Sequence, residues 1–150
     1  MEFILPRKKY SSPLIDKLET DLRQEFPHLK IERLETAIRV LQSSENGFSV
    51  GLVDEQRKVI PVLGPWADFQ MEKEAAVSLF QAALRGQVRL IEISRKGNAY
   101  RWRVEAMRDG VWRKENKEYS AYFIFPNPLL LFWNKKERVL WNDPARLRLQ

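Results

Sequence analysis

Arginine and tryptophan alternate within residues 99–114, which read AYRWRVEAMRDGVWRK. Arginine binds phosphate groups and tryptophan stacks on bases, so this combination is typical of single-stranded nucleic-acid sites. A strand before the Asp109-Gly110 turn, however, directs alternate side chains to opposite faces. One face then carries Tyr100, Trp102, Val104 and Ala106, and the other carries Arg101, Arg103, Glu105 and Met107. The alternation therefore favours an ordinary two-faced hairpin with Trp102 in the core.

A nucleic-acid site remains as an alternative hypothesis in a weaker form. Several cations of the second half could form one positive patch on an exposed sheet face, where phosphate contacts give salt-sensitive binding without sequence preference. The sequence contains no RNP-like run, GXXG loop or zinc-finger spacing, so this hypothesis depends on charge alone. Its residues are Arg89, Arg95, Lys96, Arg101, Arg103, Arg113 and Lys114.

Aromatic residues near the C-terminus suggest a second kind of site. Two tryptophans flank the predicted turn NKKERV, and a strand pair there would bring Trp133 and Trp141 together. Core packing is the ordinary role of such residues, but tryptophan and arginine also anchor protein interfaces. The candidate partner-binding residues are Phe132, Trp133, Lys135, Lys136, Arg138 and Trp141.

Catalytic chemistry has little support in the sequence. The single histidine, His28, has no second histidine or cysteine to complete a metal or nucleophile site. Two carboxylates are enough for a glycosidase, but the candidate acids suit structural roles. Glu72 and Glu74 fit a helix start, Asp54 and Glu55 fit a turn, and Glu92 and Glu105 fit cross-strand salt links. We expect no catalytic residues, and the protein is predicted not to be an enzyme.

Composition excludes further chemistries and indicates where the charge lies. The chain has 150 residues and no cysteine, which excludes disulfides and thiolate metal sites, and neither a P-loop nor a G-x-G-x-x-G occurs. We expect no metal and no cofactor. Residues 1–75 carry 11 Lys and Arg against 13 Asp and Glu, whereas residues 76–150 carry 15 against 7. The basic character therefore belongs to the second half, and it suggests an anionic partner.

The sequence predicts a cytoplasmic protein without a membrane segment. The start MEFILPRKKY places its positive charges after a short apolar stretch, unlike a secretory signal. The longest apolar stretch, at residues 121–133, is interrupted by Pro126 and Pro128 and is shorter than the roughly 20 residues of a spanning helix.

Two helices are predicted from apolar spacing and end signals. Ser12 and Pro13 form a start signal, and leucines then repeat every four residues until Pro27, which predicts a helix at 13–25. The second helix is predicted at 71–85, with Gly86 as its end. Its apolar face comprises Ala76, Val77, Phe80, Ala83 and Leu84.

The rest of the chain is predicted to form strands and turns. Residues 31–43 fit either a helix or a strand, and we favour a strand at 35–43. Residues 47–64 predict a hairpin in which Pro61 lies at an edge or a bulge. After the second helix, about five strands are separated by the turns RKGN, RDG, ENKE, PNP and NKKE. The sequence therefore predicts one α+β domain over residues 1–150, with a mainly antiparallel sheet of about six to eight strands and both helices packed on one face.

These features favour a non-enzymatic binding protein. Its general build is similar to binding modules among bacterial toxin-neutralising immunity proteins and small secretion or assembly chaperones, a likeness of architecture without a shared motif. We predict a protein partner, bound through the aromatic and basic surface of the second half. The alternative is a nucleic-acid-binding accessory protein that uses the basic sheet face. The oligomeric state is left open by the sequence.

Overall fold

The computed structural model describes residues 12–120 and 135–143, and for residues 116–120 it describes the backbone alone. Within these residues the chain forms two helices and nine strands, arranged in two antiparallel sheets. The elements are α1 (Pro13–Glu25), β1 (Ile31–Leu34), β2 (Ala37–Val40), β3 (Val50–Asp54), β4 (Val59–Leu63), β5 (Trp66–Ala67), α2 (Lys73–Leu84), β6 (Val88–Arg95), β7 (Asn98–Arg108), β8 (Val111–Ser120) and β9 (Lys135–Trp141).

The α+β class and the antiparallel pairing are confirmed, and the strands divide into two sheets. The N-terminal sheet has the order β1-β2-β3-β4-β5, and the C-terminal sheet has the order β8-β7-β6-β9. Both helices and the facing sides of both sheets contribute to one large hydrophobic cluster. Neither helix in the described part of the chain is long and apolar enough to cross a membrane.

Both helices form close to where their end signals place them. The Ser12 hydroxyl accepts a hydrogen bond from the Ile15 amide at 3.2 Å, and Pro13 occupies the first turn, where its missing amide proton is not needed. The helix α1 buries Ile15, Leu18 and Leu22. The helix α2 is slightly shorter than predicted and buries Ala76, Leu79, Phe80, Ala83 and Leu84.

Residues 31–43 form strands rather than a helix. They contain the predicted strand, as β2, and an additional strand, β1, which pairs with β2 across a tight turn at residues 35 and 36. A helix would bury Leu34 together with Ile38, but Leu34 is 69% exposed while Ile38 is 1% exposed. Pairing of β2 with β3 decides the conformation here, because the local apolar spacing fits both alternatives.

The predicted hairpin at 47–64 forms from β3 and β4, and Pro61 lies inside β4 instead of at an edge or a bulge. The ladder from β4 to the short β5 covers Val62 and Leu63, so Pro61 lies just beyond its end. The Pro61 carbonyl accepts a bond from the Asp68 amide at 3.3 Å on that side. The Pro61 nitrogen therefore points toward the end of β5. Because it does not face β3, its lack of an amide proton costs no hydrogen bond to that strand.

Two turns predicted in the second half are wrong. The segment ENKE lies within β8, and the extra residues are accommodated by a register shift against β7. From the segment NKKE, residues 135–137 belong to β9, where they pair with residues 93–95 of β6. Long-range pairing overrides local turn propensity in both places. The strands predicted within 121–134 lie outside the described residues.

One side chain connects the two sheets. The buried Asn142 carboxamide accepts a bond from the Phe48 amide at 3.0 Å and donates one to the Phe48 carbonyl at 3.0 Å. The Asn142 side chain thereby pairs with the Phe48 backbone as a neighbouring strand would. A Cβ atom at Gly47 would lie 2.7 Å from the Asn142 Oδ1 atom, so glycine at this position permits the contact. The Trp141 amide adds a bond to the Asn46 carbonyl at 2.8 Å.

Candidate functional site

The candidate site is the outer face of the C-terminal sheet, the face directed away from the main core. Strand alternation defines it, since Leu90 and Val104 point into the main core while their neighbours point outward. Register then fixes which outward residues are adjacent, and Arg89 lies between Glu105 and Trp141. The outer face comprises Arg89, Ile91, Ile93 and Arg95 of β6, Tyr100, Arg101, Arg103, Glu105 and Met107 of β7, Trp112 and Lys114 of β8, and Lys135, Glu137, Val139 and Trp141 of β9.

Within β7 the predicted alternation is correct except at one position. Trp102, Val104 and Ala106 belong to the main core as predicted. Tyr100 is also buried, but it packs with Ile91 and Ile93 in a separate cluster on the outer face. A register shift between β6 and β7 lies at this point, and the extra residue on β7 breaks the alternation.

The outer face brings together aromatic and basic groups that the sequence of β7 alone separates. Trp112 arrives from β8 and Trp141 from β9, on either side of the arginines of β6 and β7. The Arg89 guanidinium carbon lies 4.6 Å from the centroid of the Trp112 ring, in cation–π contact. Alternation along β7 alone places its tryptophan and its arginines on opposite faces. The register with the neighbouring strands brings other tryptophans onto the face of those arginines.

Two of the predicted cations are held by carboxylates of the same face. Arg89 contacts Glu105 at 2.6 Å, and Arg103 approaches Glu105 at 3.4 Å and Glu137 at 3.7 Å. The side chains of Arg89 and Arg103 are only 28% and 20% exposed, so this network is partly removed from water. The predicted cross-strand salt link of Glu105 is confirmed, and Glu92 lies on the other face opposite Trp102 and Arg138.

Exposed apolar side chains complete the outer face. Val139 is 49% exposed, Trp141 40% and Met107 38%. The Trp141 indole nitrogen donates a hydrogen bond to the Gly86 carbonyl at 2.8 Å, which fixes the orientation of the ring while one side stays open to solvent. A preorganised aromatic ring loses little conformational freedom when a partner covers it.

The other residues of the two predicted sites are dispersed. Arg113 lies opposite Ala106 and therefore belongs to the other face, and Lys96 occupies the β6–β7 turn with a φ of 52°. Arg95 is the exception, because it pairs with Lys135 of β9 on the outer face, where it donates a bond to the Tyr100 hydroxyl at 3.0 Å. On β9, Lys136 and Arg138 point away from the outer face. Phe132 and Trp133 lie outside the described residues.

Arg138 and Lys135 have specific contacts of their own. The Arg138 guanidinium donates to the Glu45 carbonyl at 2.9 Å and to the Asn46 side chain at 3.3 Å, so it helps to hold the loop before β3. The Lys135 ammonium group lies 3.7 Å from the Glu137 carboxylate on the outer face. Of the predicted partner-binding residues, Lys135 and Trp141 therefore share the outer face.

Sequence reasoning did not select Trp112, Met107 or Val139 as site residues. Their positions follow from the pairing of β8 with β7 and of β9 with β6. The only local signal was alternation, which places Met107 on the same face as Arg101 and Arg103. Val139 lies in the last predicted strand, but only its pairing with Ile91 of β6 shows which face it shares.

The candidate groups for metal binding or acid catalysis among residues 12–120 and 135–143 are the acidic side chains and His28. No cluster of three or more His, Asp or Glu side chains that could hold a metal ion occurs there. A cavity of about 190 Å³ between α1 and α2 includes Asp21 and Glu25, but both are exposed and Glu25 contacts Arg85 at 3.4 Å. Both carboxylates are open to water, whereas a general acid is usually enclosed in apolar surroundings.

Comparisons with protein-family models, with curated proteins and with solved structures found no match for this chain.

Proposed function

We propose that this protein is a non-enzymatic binding protein that recognises another protein through the outer face of its C-terminal sheet. The observation that carries the proposal is the exposure of Trp141, Val139 and Met107 on the same face as the arginines. Tryptophan, methionine and arginine are enriched at the centres of protein interfaces, where they contribute a large share of the binding energy.

The anchoring of Trp141 supports this role. Its indole nitrogen is bonded to Gly86 and its amide to Asn46, so the ring is held by two other parts of the fold. A ring that is rigid before binding contributes contact area at a small entropic cost. At 40% exposure, part of the ring is accessible to a partner.

The ion pairs favour a protein over a nucleic acid. Glu105 and Glu137 offset the charge of Arg89 and Arg103, and carboxylates within the site repel phosphate groups. A protein partner can use the same network, because polar groups that are already paired can be covered without leaving a charge unsatisfied.

Nucleic acid is retained as a second candidate because aromatic rings and cations share this face. Trp112 and Trp141 flank a surface that also carries Arg101 and Lys114. Bases could stack on the rings while the backbone follows the cations. This candidate predicts that binding weakens steeply with salt, and that changing Arg101 and Arg103 to alanine flattens that dependence.

A capture experiment with matched variants tests the proposal. The tagged protein captures its partners from a lysate of its source cells, with and without nuclease. The variants Val139→Glu and Val111→Glu are tested in the same way. Val111 is 55% exposed but lies opposite Arg108, away from the outer face, so it controls for the substitution itself. We expect a stoichiometric protein partner that survives nuclease, is lost with Val139→Glu and is retained with Val111→Glu.

Two results would overturn the proposal. Captured material that absorbs at 260 nm and disappears with nuclease would favour the nucleic-acid candidate. A protein partner that binds the Val139→Glu variant as well as the unchanged protein would show that the outer face is not its interface.

A further inference from the structure

A groove lies beside the outer face, between helix α2 and the end of β7. Its volume is about 260 Å³, and it is open along one side. Leu79 and Val88 are buried at its base, while Ala75 is exposed at its rim. Small side chains at Ala75, Ala82 and Ala106 leave the space between the helix and the sheet unfilled. The groove is therefore an apolar depression that is large enough to take side chains from another molecule.

Both internal methionines of the chain line this groove. Met71 and Met107 both contribute to its lining, and the sequence has one further methionine, Met1. A methionine side chain is flexible and polarisable, and it adapts to ligands of different shape. This use of methionine is typical of surfaces that receive apolar side chains of a partner.

Charge is distributed unevenly around the groove. At the β7–β8 side, Arg108 is paired with Glu115 at 3.2 Å. At the opposite end, Met71 also lines an adjoining cavity of about 300 Å³. That cavity is bordered by three exposed cations against one carboxylate, and it includes the exposed ring of Phe69. The cations are Arg57, Lys58 and Lys73, and the carboxylate is Glu72.

We propose that this groove, called here the α2 groove, binds an apolar peptide segment of another protein whose acidic residues lie at one end. The apolar side chains of the segment occupy the space between Ala75, Leu79 and Met107. Its carboxylates face Arg57, Lys58 and Lys73, where the cationic excess complements them. The α2 groove is separate from the outer face apart from Met107, and this inference does not depend on the proposed function.

Selection of peptides from a phage-displayed random dodecapeptide library tests this proposal. The unchanged full chain is the target, and binding of the selected peptides is then measured by calorimetry. We expect them to combine apolar residues with Asp or Glu. The variant Ala75→Arg, which fills the groove from an exposed helical position, should weaken their binding at least about tenfold.

Matched variants distinguish binding in the groove from binding elsewhere on the surface. Gln24→Arg adds the same side chain at an exposed position of α1 and should leave binding unchanged. The double variant Arg57→Glu and Lys58→Glu should weaken binding of the acidic peptides, while Val139→Glu should not. If Ala75→Arg disturbs folding, as judged by circular dichroism, Ser78→Arg replaces it, since Ser78 is also exposed and lines the groove.

Several outcomes contradict the proposal. Failure to enrich any peptide, or equal binding to Ala75→Arg and the unchanged chain, overturns it. Loss of binding with Val139→Glu alone would place the peptide on the outer face, which overturns the groove proposal and leaves the proposed function standing. A dimer in sedimentation that Ala75→Arg disrupts would mean that a second copy fills the groove instead of a foreign segment.

Discussion

The two faces of the C-terminal sheet differ although the same four strands form both. The inner face carries Leu90, Val104 and Leu140, all buried in the main core. The neighbouring residue in each strand points to the outer face, which carries Arg89, Glu105 and other polar groups, the buried Ile91 and Ile93, and several exposed apolar side chains. The inner face therefore holds the sheet to the rest of the fold, while the outer face keeps Val139, Trp141 and Met107 exposed to solvent.

This division of roles predicts unequal responses to substitution, and the largest concerns the inner face. Leu90 is 0% exposed and lies between Val104 and Leu140. We expect Leu90→Ala to lower the free energy of unfolding by about 2–5 kcal/mol, because it removes buried contacts and leaves a cavity. Urea denaturation measures the change. A loss below about 1 kcal/mol would contradict the assignment of this face to the core.

The second prediction concerns the link between the sheets. Asn142→Ala removes both hydrogen bonds to Phe48. The buried backbone amide of Phe48 then loses its acceptor. We expect a loss of about 1–3 kcal/mol in the free energy of unfolding. A double-mutant cycle with Gly47→Ala sharpens the test, because the added Cβ meets the Asn142 side chain at 2.7 Å. Gly47→Ala should therefore cost less in the Asn142→Ala background, and strictly additive losses would argue against the contact.

The third prediction concerns the charge network of the outer face. Glu105→Gln keeps the shape of a side chain that is 14% exposed and removes the charge facing Arg89 and Arg103. We expect a loss of about 1 kcal/mol in the free energy of unfolding, smaller at high salt. Glu115→Gln is the matched control, since its partner Arg108 is 65% exposed, and it should change stability less. Equal effects of the two variants would mean that the network stabilises the face no more than the exposed Arg108–Glu115 pair does.

The fourth prediction concerns Val139 on the outer face, where we expect a small effect on stability and a large effect on recognition. Val139→Thr keeps a β-branched side chain on the 49% exposed position of β9. The free energy of unfolding should change by no more than about 0.5 kcal/mol. Binding of the captured partner should weaken several-fold in titration calorimetry, because a hydroxyl replaces an apolar contact. Unchanged affinity would remove Val139 from the interface and would make the two faces less different than proposed.

Local signals in the sequence predicted the helices and much of the core. Ser12, Pro13 and the leucines after them predicted α1 at its observed bounds, since capping and apolar spacing act within one helix. The alternation in β7 likewise placed Trp102, Val104 and Ala106 in the core. Tyr100 was the exception, because a bulge depends on the pairing with β6 and leaves no mark in the β7 sequence.

The candidate site was less accessible from the sequence. Arg89, Arg101, Arg103 and Trp141 were named, but they were divided between two different hypotheses. Residues 135–137 were predicted as a turn, so the predicted strand that carries Val139 and Trp141 began about three residues too late. Charged residues are tolerated in that strand because β6 supplies its hydrogen bonds and because it lies at an end of the sheet as described.

The amino-acid sequence alone was enough to establish the apolar side of each helix, the approximate ends of α1 and α2, and the chemistries that the residue types exclude. The tertiary structure was needed to show that the strands form two sheets, that Asn142 connects them, and that Trp112, Arg89 and Trp141 share one face. The physical reason is that helix ends and strand alternation are set by neighbours along the chain. Strand order and register are set by contacts between residues that lie far apart in the sequence.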